Sequence, residues 1–234
     1  RRGALEQEFR LHYQPIISVQ TGQIAGYEAL LRWHTPNQGI LTPAQFMDAI
    51  DTVGLIYTTD HWALKNACKQ TAKWQNEFPS ALPFFISVNL SAKNINHPNL
   101  IDNINQILHE TKLKPESLWL EITEKVVAPG DESAVKVLKK LRSMGVQICL
   151  DDFGTGYSAL NYLAQFPVDV LKIDQSLIKM IGVKETSEKI IEMVKTLANY
   201  LGIIVVAEGV ETEEQVSFIR SINCEYIQGY FYSK

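Results

Sequence analysis

Short apolar runs recur along the chain, and each stops on a polar or charged residue. Residues 84–88 run into Asn89, 118–120 into Glu121, 146–150 into Asp151-Asp152, 203–207 into Glu208 and 226–227 into Gln228; residues 170–171 meet Lys172, with Asp174 two further on. Runs this short, bounded by turn residues, read as buried strands. A buried strand has no physical need to finish on an anion. The repeated ending therefore predicts parallel strands whose C-terminal tips converge on one acidic site.

The rest of the pattern fills in the frame. Residues 9–18 and 23–31 read as two strands joined at Thr21-Gly22, a link too short for a crossover helix, so this first pair is expected to be antiparallel. Thr42-Pro43 marks a helix start, with Thr as N-cap and Pro at the first helical position, and the helix is expected to reach about residue 52. A longer helix is predicted over 59–78. Strands over 84–90, 118–123, 146–150, 170–173, 203–207 and 225–227 then alternate with helices over 98–110, 132–143, 158–165, 185–201 and 212–222. Gly145 and Gly202 stop the second and fourth of these helices. Eight strands alternating mostly with helices predict an α/β fold, a (β/α)8 TIM-like barrel with an antiparallel first strand. No linker or low-complexity stretch divides residues 1–234, which read as a single domain.

Composition narrows the function. A formal net charge of −4 gives no basic surface for polymeric nucleic acid, although a bound divalent cation can still draw a small anionic ligand. Cys68, Cys149 and Cys224 are isolated and odd in number, which predicts a reducing compartment and a cytoplasmic location. The five histidines form no HxxxH or HxH pair, so their spacing predicts no zinc site. No apolar stretch approaches the roughly 18–20 residues of a membrane span. The chain lacks an initial Met and reads as a domain excised from a longer protein, where a membrane anchor, a sensor or a cyclase domain is left open.

The candidate chemistry sits at the strand ends. Adjacent carboxylates such as Asp151-Asp152 repel each other unless a cation or proton intervenes. Two Mg2+ or Mn2+ ions about 3.5–4 Å apart would use such a pair, one aspartate bridging. Glu28, Asn89, Glu121 and Glu208 at other strand ends add oxygen donors, which favour these hard ions over zinc. Lys172 would stand among these anions, as charge balance or as the cation that holds attacking water or a phosphate oxygen. Arg32 could fork onto a phosphate. Gly154 to Ala159 imitates the GxGxxA dinucleotide fingerprint, but the aspartates before it would repel a pyrophosphate. An enolase-type barrel, with carboxylates on Mg2+ and a lysine base, fits the same layout.

The motifs together resemble one family. Glu28-Ala29-Leu30-Leu31-Arg32-Trp33 is similar to the signature that names the EAL domain family of cyclic di-GMP phosphodiesterases. Leu11-His12-Tyr13-Gln14-Pro15, Ser87-Val88-Asn89-Leu90-Ser91, Glu121-Ile122-Thr123-Glu124, residues 151–158, Leu171-Lys172-Ile173-Asp174, residues 206–212 and Gln228-Gly229-Tyr230 follow in the family's order. The resemblance implies a barrel with an antiparallel first strand and metal-dependent hydrolysis of cyclic di-GMP to linear pGpG in bacterial signalling. It also implies roles. Glu28, Asn89, Glu121 and Asp151 would hold one ion; Asp151 would bridge to a second, with Asp152 on that ion, and Glu208 would complete the shell. Lys172 would hold the attacking water, and Glu208 is the candidate general base. Gln14, Leu31, Arg32, Glu211 and Gln228 would line the substrate site, and Glu124 would anchor the loop after Asp151-Asp152. A homodimer is expected from the same resemblance. The competing reading is a silent cyclic di-GMP receptor.

Overall fold

The computed structural model describes residues 8–79, 84–123, 132–154 and 166–233. The predicted helix at 158–165 and Glu124 lie outside the described residues.

Strands β1 (Phe9–Ser18), β2 (Ile24–Thr35), β4 (Phe85–Asn89), β5 (Leu118–Thr123), β6 (Gln147–Phe153), β7 (Val170–Ile173), β8 (Ile204–Ala207) and β9 (Tyr226–Ile227) form a closed ring. A short β3 (Gly39–Leu41) extends it as a hairpin on the far end of β2. β1 is antiparallel to both its neighbours, β2 and β9, and the six pairings from β2 round to β9 are parallel. The eight-stranded α/β barrel with a reversed first strand is therefore present as the pattern predicted.

The helices α1 (Pro43–Thr52), α2 (Ile56–Glu77), α3 (Ala92–Ile95), α4 (Leu100–Thr111), α5 (Glu132–Ser143), α6 (Gln175–Ile178), α7 (Glu185–Leu201) and α8 (Glu213–Ser221) follow in chain order. Their limits have local causes. Thr212 caps α8 in a reciprocal box: its hydroxyl accepts from Gln215 N–H, and Gln215 Oε1 accepts from Thr212 N–H. Gly202 ends α7 in the left-handed region, where it costs nothing sterically. The main core lies between the sheet and these helices, built from residues such as Ile86, Leu120, Ile148, Leu171, Val205, Ile104, Leu138 and Ile191.

Inside the ring, side chains alternate by two along each strand. Ile16, Phe85, Trp119, Cys149, Val170 and Val206 form an apolar floor. The Phe85 and Trp119 rings stack with centroids 3.4 Å apart. One pleat higher on the same strands stand Gln14, Ser87, Glu121, Asp151, Lys172 and Glu208, and Glu28 takes the same step above Gly26. The floor lies beneath the polar layer, which faces the C-terminal mouth.

Candidate active site

Lys172 on β7 is the centre of the polar layer and is 1% exposed. Its Nζ lies 2.5 Å from Glu208 Oε1, 2.7 Å from Glu121 Oε1, 3.3 Å from Glu28 Oε2 and 3.6 Å from Asp151 Oδ1. Four strands thus deliver four carboxylates to one ammonium. Amides and a hydroxyl complete the net. Gln228 Nε2 donates to Glu28 Oε2 at 2.6 Å and to Gln14 Oε1 at 2.8 Å, Asn89 Nδ2 donates to Glu28 Oε1 at 3.1 Å, and the Ser87 hydroxyl donates to Glu121 Oε1 at 2.6 Å.

The electrostatics follow from this crowding. Burial pushes the Glu121 carboxyl well above the usual range, and the Glu28 charge adds to it. Burial also raises Glu208 to about 8, against the pull of Lys172. Burial acts the same way on Glu28, but Lys172 and the Gln228 hydrogen bond outweigh it and hold Glu28 low. Burial opposes the charge on Lys172, and Glu121, Glu208, Glu28 and Asp151 more than restore it. One ammonium cannot neutralise four carboxylates, so the layer favours protons or further cations.

The donor set fits a hard divalent ion. Its members are carboxylate and amide oxygens, and Glu121 Oε2 is buried with no donor facing it. Among the described residues, no three Asp, Glu, His or Cys side chains stand in a ligating arrangement. Four of the candidate carboxylates are turned onto Nζ instead and would have to swing off it to meet a metal.

Above the layer opens a cavity of about 440 Å3, within the size range of small-molecule sites. Gln14, Glu28, Asp151, Lys172, Glu208, Glu211 and Gln228 line it, as do Tyr230 of the Gln228-Gly229-Tyr230 motif and two residues that the sequence did not single out, Gln175 and Lys179. Lys179 follows α6, and its Nζ donates to Gln175 Oε1 at 2.9 Å. Apart from the ion-paired Lys172, it is the cation among the described lining residues.

Three expected site residues stand apart. Asp152 has φ +57°, its N–H donates to Asp151 Oδ1 at 2.9 Å, and its side chain is exposed outside the cavity lining. The register of β6 on β7 shifts between Leu150 and Phe153, so this left-handed residue breaks the alternation at the strand tip. Leu31 lies on the face of β2 opposite Glu28 and packs against Phe9, Phe46 and Ile50; its contribution to the mouth runs through its carbonyl, which accepts from Arg32 Nη1 at 2.9 Å. Arg32 shares the Glu28 face, higher on the strand and outside the cavity lining. Asp174 caps α6 by accepting from Ser176 N–H.

Comparison with known proteins agrees with this layout. The family model of the EAL domain matches residues 1–234. The Pseudomonas aeruginosa protein named cyclic di-GMP phosphodiesterase NbdA is 36% identical over 234 residues, covering 100% of this chain and 30% of that protein. The bifunctional diguanylate cyclase/cyclic di-GMP phosphodiesterase MucR of the same organism is 38% identical over 230 residues, 98% of this chain and 33% of that protein. A solved structure, the PaMucR phosphodiesterase in its c-di-GMP complex, superposes with a TM-score of 0.92 at 38% identity, covering 100% of this chain and 94% of that one. The chain spans about a third of the length of the curated relatives. The family model spans the whole chain, and relatives more than 30% identical cover nearly all of it: the chain belongs to the EAL domain family.

Proposed function

We propose that this chain hydrolyses one phosphodiester bond of cyclic di-GMP, giving linear pGpG, as a unit of bacterial second-messenger signalling. The observation that carries the reading is the Lys172-centred ring of carboxylates at the mouth of a barrel of this family. Family membership sets aside the enolase-type alternative.

Glu28, Asn89, Glu121, Asp151, Asp152 and Glu208 would hold two divalent ions, Mg2+ or Mn2+. Such ions supply Lewis acidity to the phosphoryl group and lower the pKa of water. The chain's own groups do the rest. Gln14 and Gln228, already hydrogen-bonded to each other, present a fixed amide pair to the substrate. Arg32, steadied by the Leu31 carbonyl, meets a phosphate, and Glu211 closes the rim. Lys172 orients the attacking water and offsets charge on the phosphoryl oxygens, and Glu208, 2.5 Å from its Nζ, takes the water's proton. The ribose 3′ oxygen leaves opposite the attack. Glu124, outside the described residues, is assigned the anchoring of the loop after Asp152. The domain would work in the cytoplasm as a homodimer within a longer chain carrying sensor or cyclase modules, membrane-anchored or not.

The test is incubation of the purified domain with cyclic di-GMP and Mg2+ or Mn2+, with pGpG followed by chromatography beside Asp151→Asn. The expected result is product from the parent and none from the variant. Binding of cyclic di-GMP without product would make the chain a receptor instead, and neither binding nor product would sink both readings.

A further inference from the structure

His12 on β1 and His34 on β2 are 22 positions apart, yet the hairpin brings their Nε2 atoms to 3.4 Å. Their rings meet edge-on, with centroids 5.6 Å apart and planes at 67°. Both occupy even positions on the ribbon, the face that carries Gln14, Glu28 and Arg32. Neither lines the cavity. At this separation the two nitrogens are at the long end of hydrogen-bond range. Two imidazole nitrogens on one tetrahedral ion, each about 2.0–2.1 Å from it, stand about 3.3–3.4 Å apart.

We propose that His12 and His34 form a two-imidazole chelate for a borderline transition-metal ion of the Zn2+ or Cu2+ kind, separate from the oxygen site in the barrel. Imidazole suits these ions, whereas the carboxylate layer suits Mg2+ and Mn2+, so the two sites differ in the metals they select. The pair is solvent-exposed, and water fills the remaining positions of the shell. Burial, then Arg32 and His34, lower the pKa of His12, which keeps its imidazole neutral and its lone pair free near pH 7. The Arg32 guanidinium opposes a dication, a cost that exposure to water reduces. A bound ion would tie β1 to β2 beside Arg32 and stiffen the ribbon. The pair escapes a reading of HxxxH and HxH spacings because its ligands meet across strands.

The test uses Cu2+ and Zn2+ themselves. One equivalent of Cu2+ is added to the full chain in a non-coordinating buffer with excess Mg2+, and the electron paramagnetic resonance spectrum is compared with those of His12→Gln, His34→Gln and the double variant. The expected spectrum of the parent shows splitting from two imidazole nitrogens, reduced in each single variant and lost in the double one. Calorimetric titration with Zn2+ should then find one equivalent fewer in the double variant than in the parent. Circular dichroism without metal verifies that the variants fold. Absence of nitrogen coupling in the parent, or coupling and zinc stoichiometry unchanged in the double variant, would overturn the proposal; the oxygen-only barrel site can give no nitrogen signal.

Discussion

Lys172 shows what a single buried side chain can organise. It is the counter-charge for Glu28, Glu121, Asp151 and Glu208. Removing one partner of a buried ionic cluster leaves uncompensated charge, at a cost of about 3–5 kcal/mol. Lys172→Met is therefore expected to lower the urea midpoint markedly in chelator. Millimolar Mn2+ should restore more stability to the variant than it adds to the parent, because the ion replaces the missing charge. Activity should fall by roughly 10²-fold or more, since the group facing the phosphoryl oxygens is gone. Paired denaturation curves with and without Mn2+ check the first part. Lys179 is the opposite case, an exposed cation on the rim. A side chain that binds substrate and transition state alike raises KM when lost and leaves kcat alone. Lys179→Ala should raise KM for cyclic di-GMP about two- to fivefold, the range of a solvent-exposed charge contact; a matching fall in kcat would assign it to the chemistry.

Elements explain why the polar layer was legible before any coordinates. Period-two alternation puts a residue two past an apolar floor position on the same inner face, and 119 to Glu121, 149 to Asp151, 170 to Lys172 and 206 to Glu208 all obey it. The same rule places Leu31 on the outer face of β2. What escaped was short: β3 has three residues, and α3 and α6 four each, too few for a period to register. Missing α6 hid Lys179, which reaches the cavity just past that turn. Asp152 escaped for another reason, since its left-handed backbone breaks the alternation locally. The floor under the layer makes its own prediction. A Cβ on Gly26 would lie 2.4 Å from two carbons of the Phe85 ring, which is itself held by the stack on Trp119. The ring cannot retreat without breaking that stack, so Gly26→Ala should destabilise the barrel by about 1–3 kcal/mol, the usual cost of overpacking. Chemical denaturation reads the change. An unchanged midpoint would mean that the floor yields more easily than the stacking suggests.

At the scale of the whole molecule, the barrel buries several groups that are neutral at pH 7 and become anions in alkali. Burial raises Cys68 from 9.0 to about 12 and Cys224 from 9.0 to about 12, and it raises Tyr13 from 10.0 to about 12, with Cys68 adding to the last. Burial also raises Tyr27 and Tyr226. In the unfolded chain these groups lose their protons near pH 9 for the thiols and 10 for the phenols, while the folded chain keeps them. The unfolded state then binds fewer protons than the native state, so stability falls as pH rises. The contribution is complete below about pH 9 and is lost progressively toward pH 12, each unit of displacement being worth about 1.4 kcal/mol before solvent screening of the part-exposed tyrosines. Urea midpoints should fall toward pH 8, where buried Glu208 loses the proton that the unfolded chain has already released, and then decline again above pH 9 as the thiols and phenols titrate. Tyr13→Phe keeps the ring that packs edge-on against Trp74 and removes the ionisable oxygen. Its decline between pH 10 and 12 should be shallower than that of the parent, with the two proteins alike in slope at pH 7 to 9. Parallel slopes over the whole range would show that the Tyr13 hydroxyl is not held neutral by the fold, and the alkaline loss would then rest on the buried thiols beneath the helices and at the foot of the barrel.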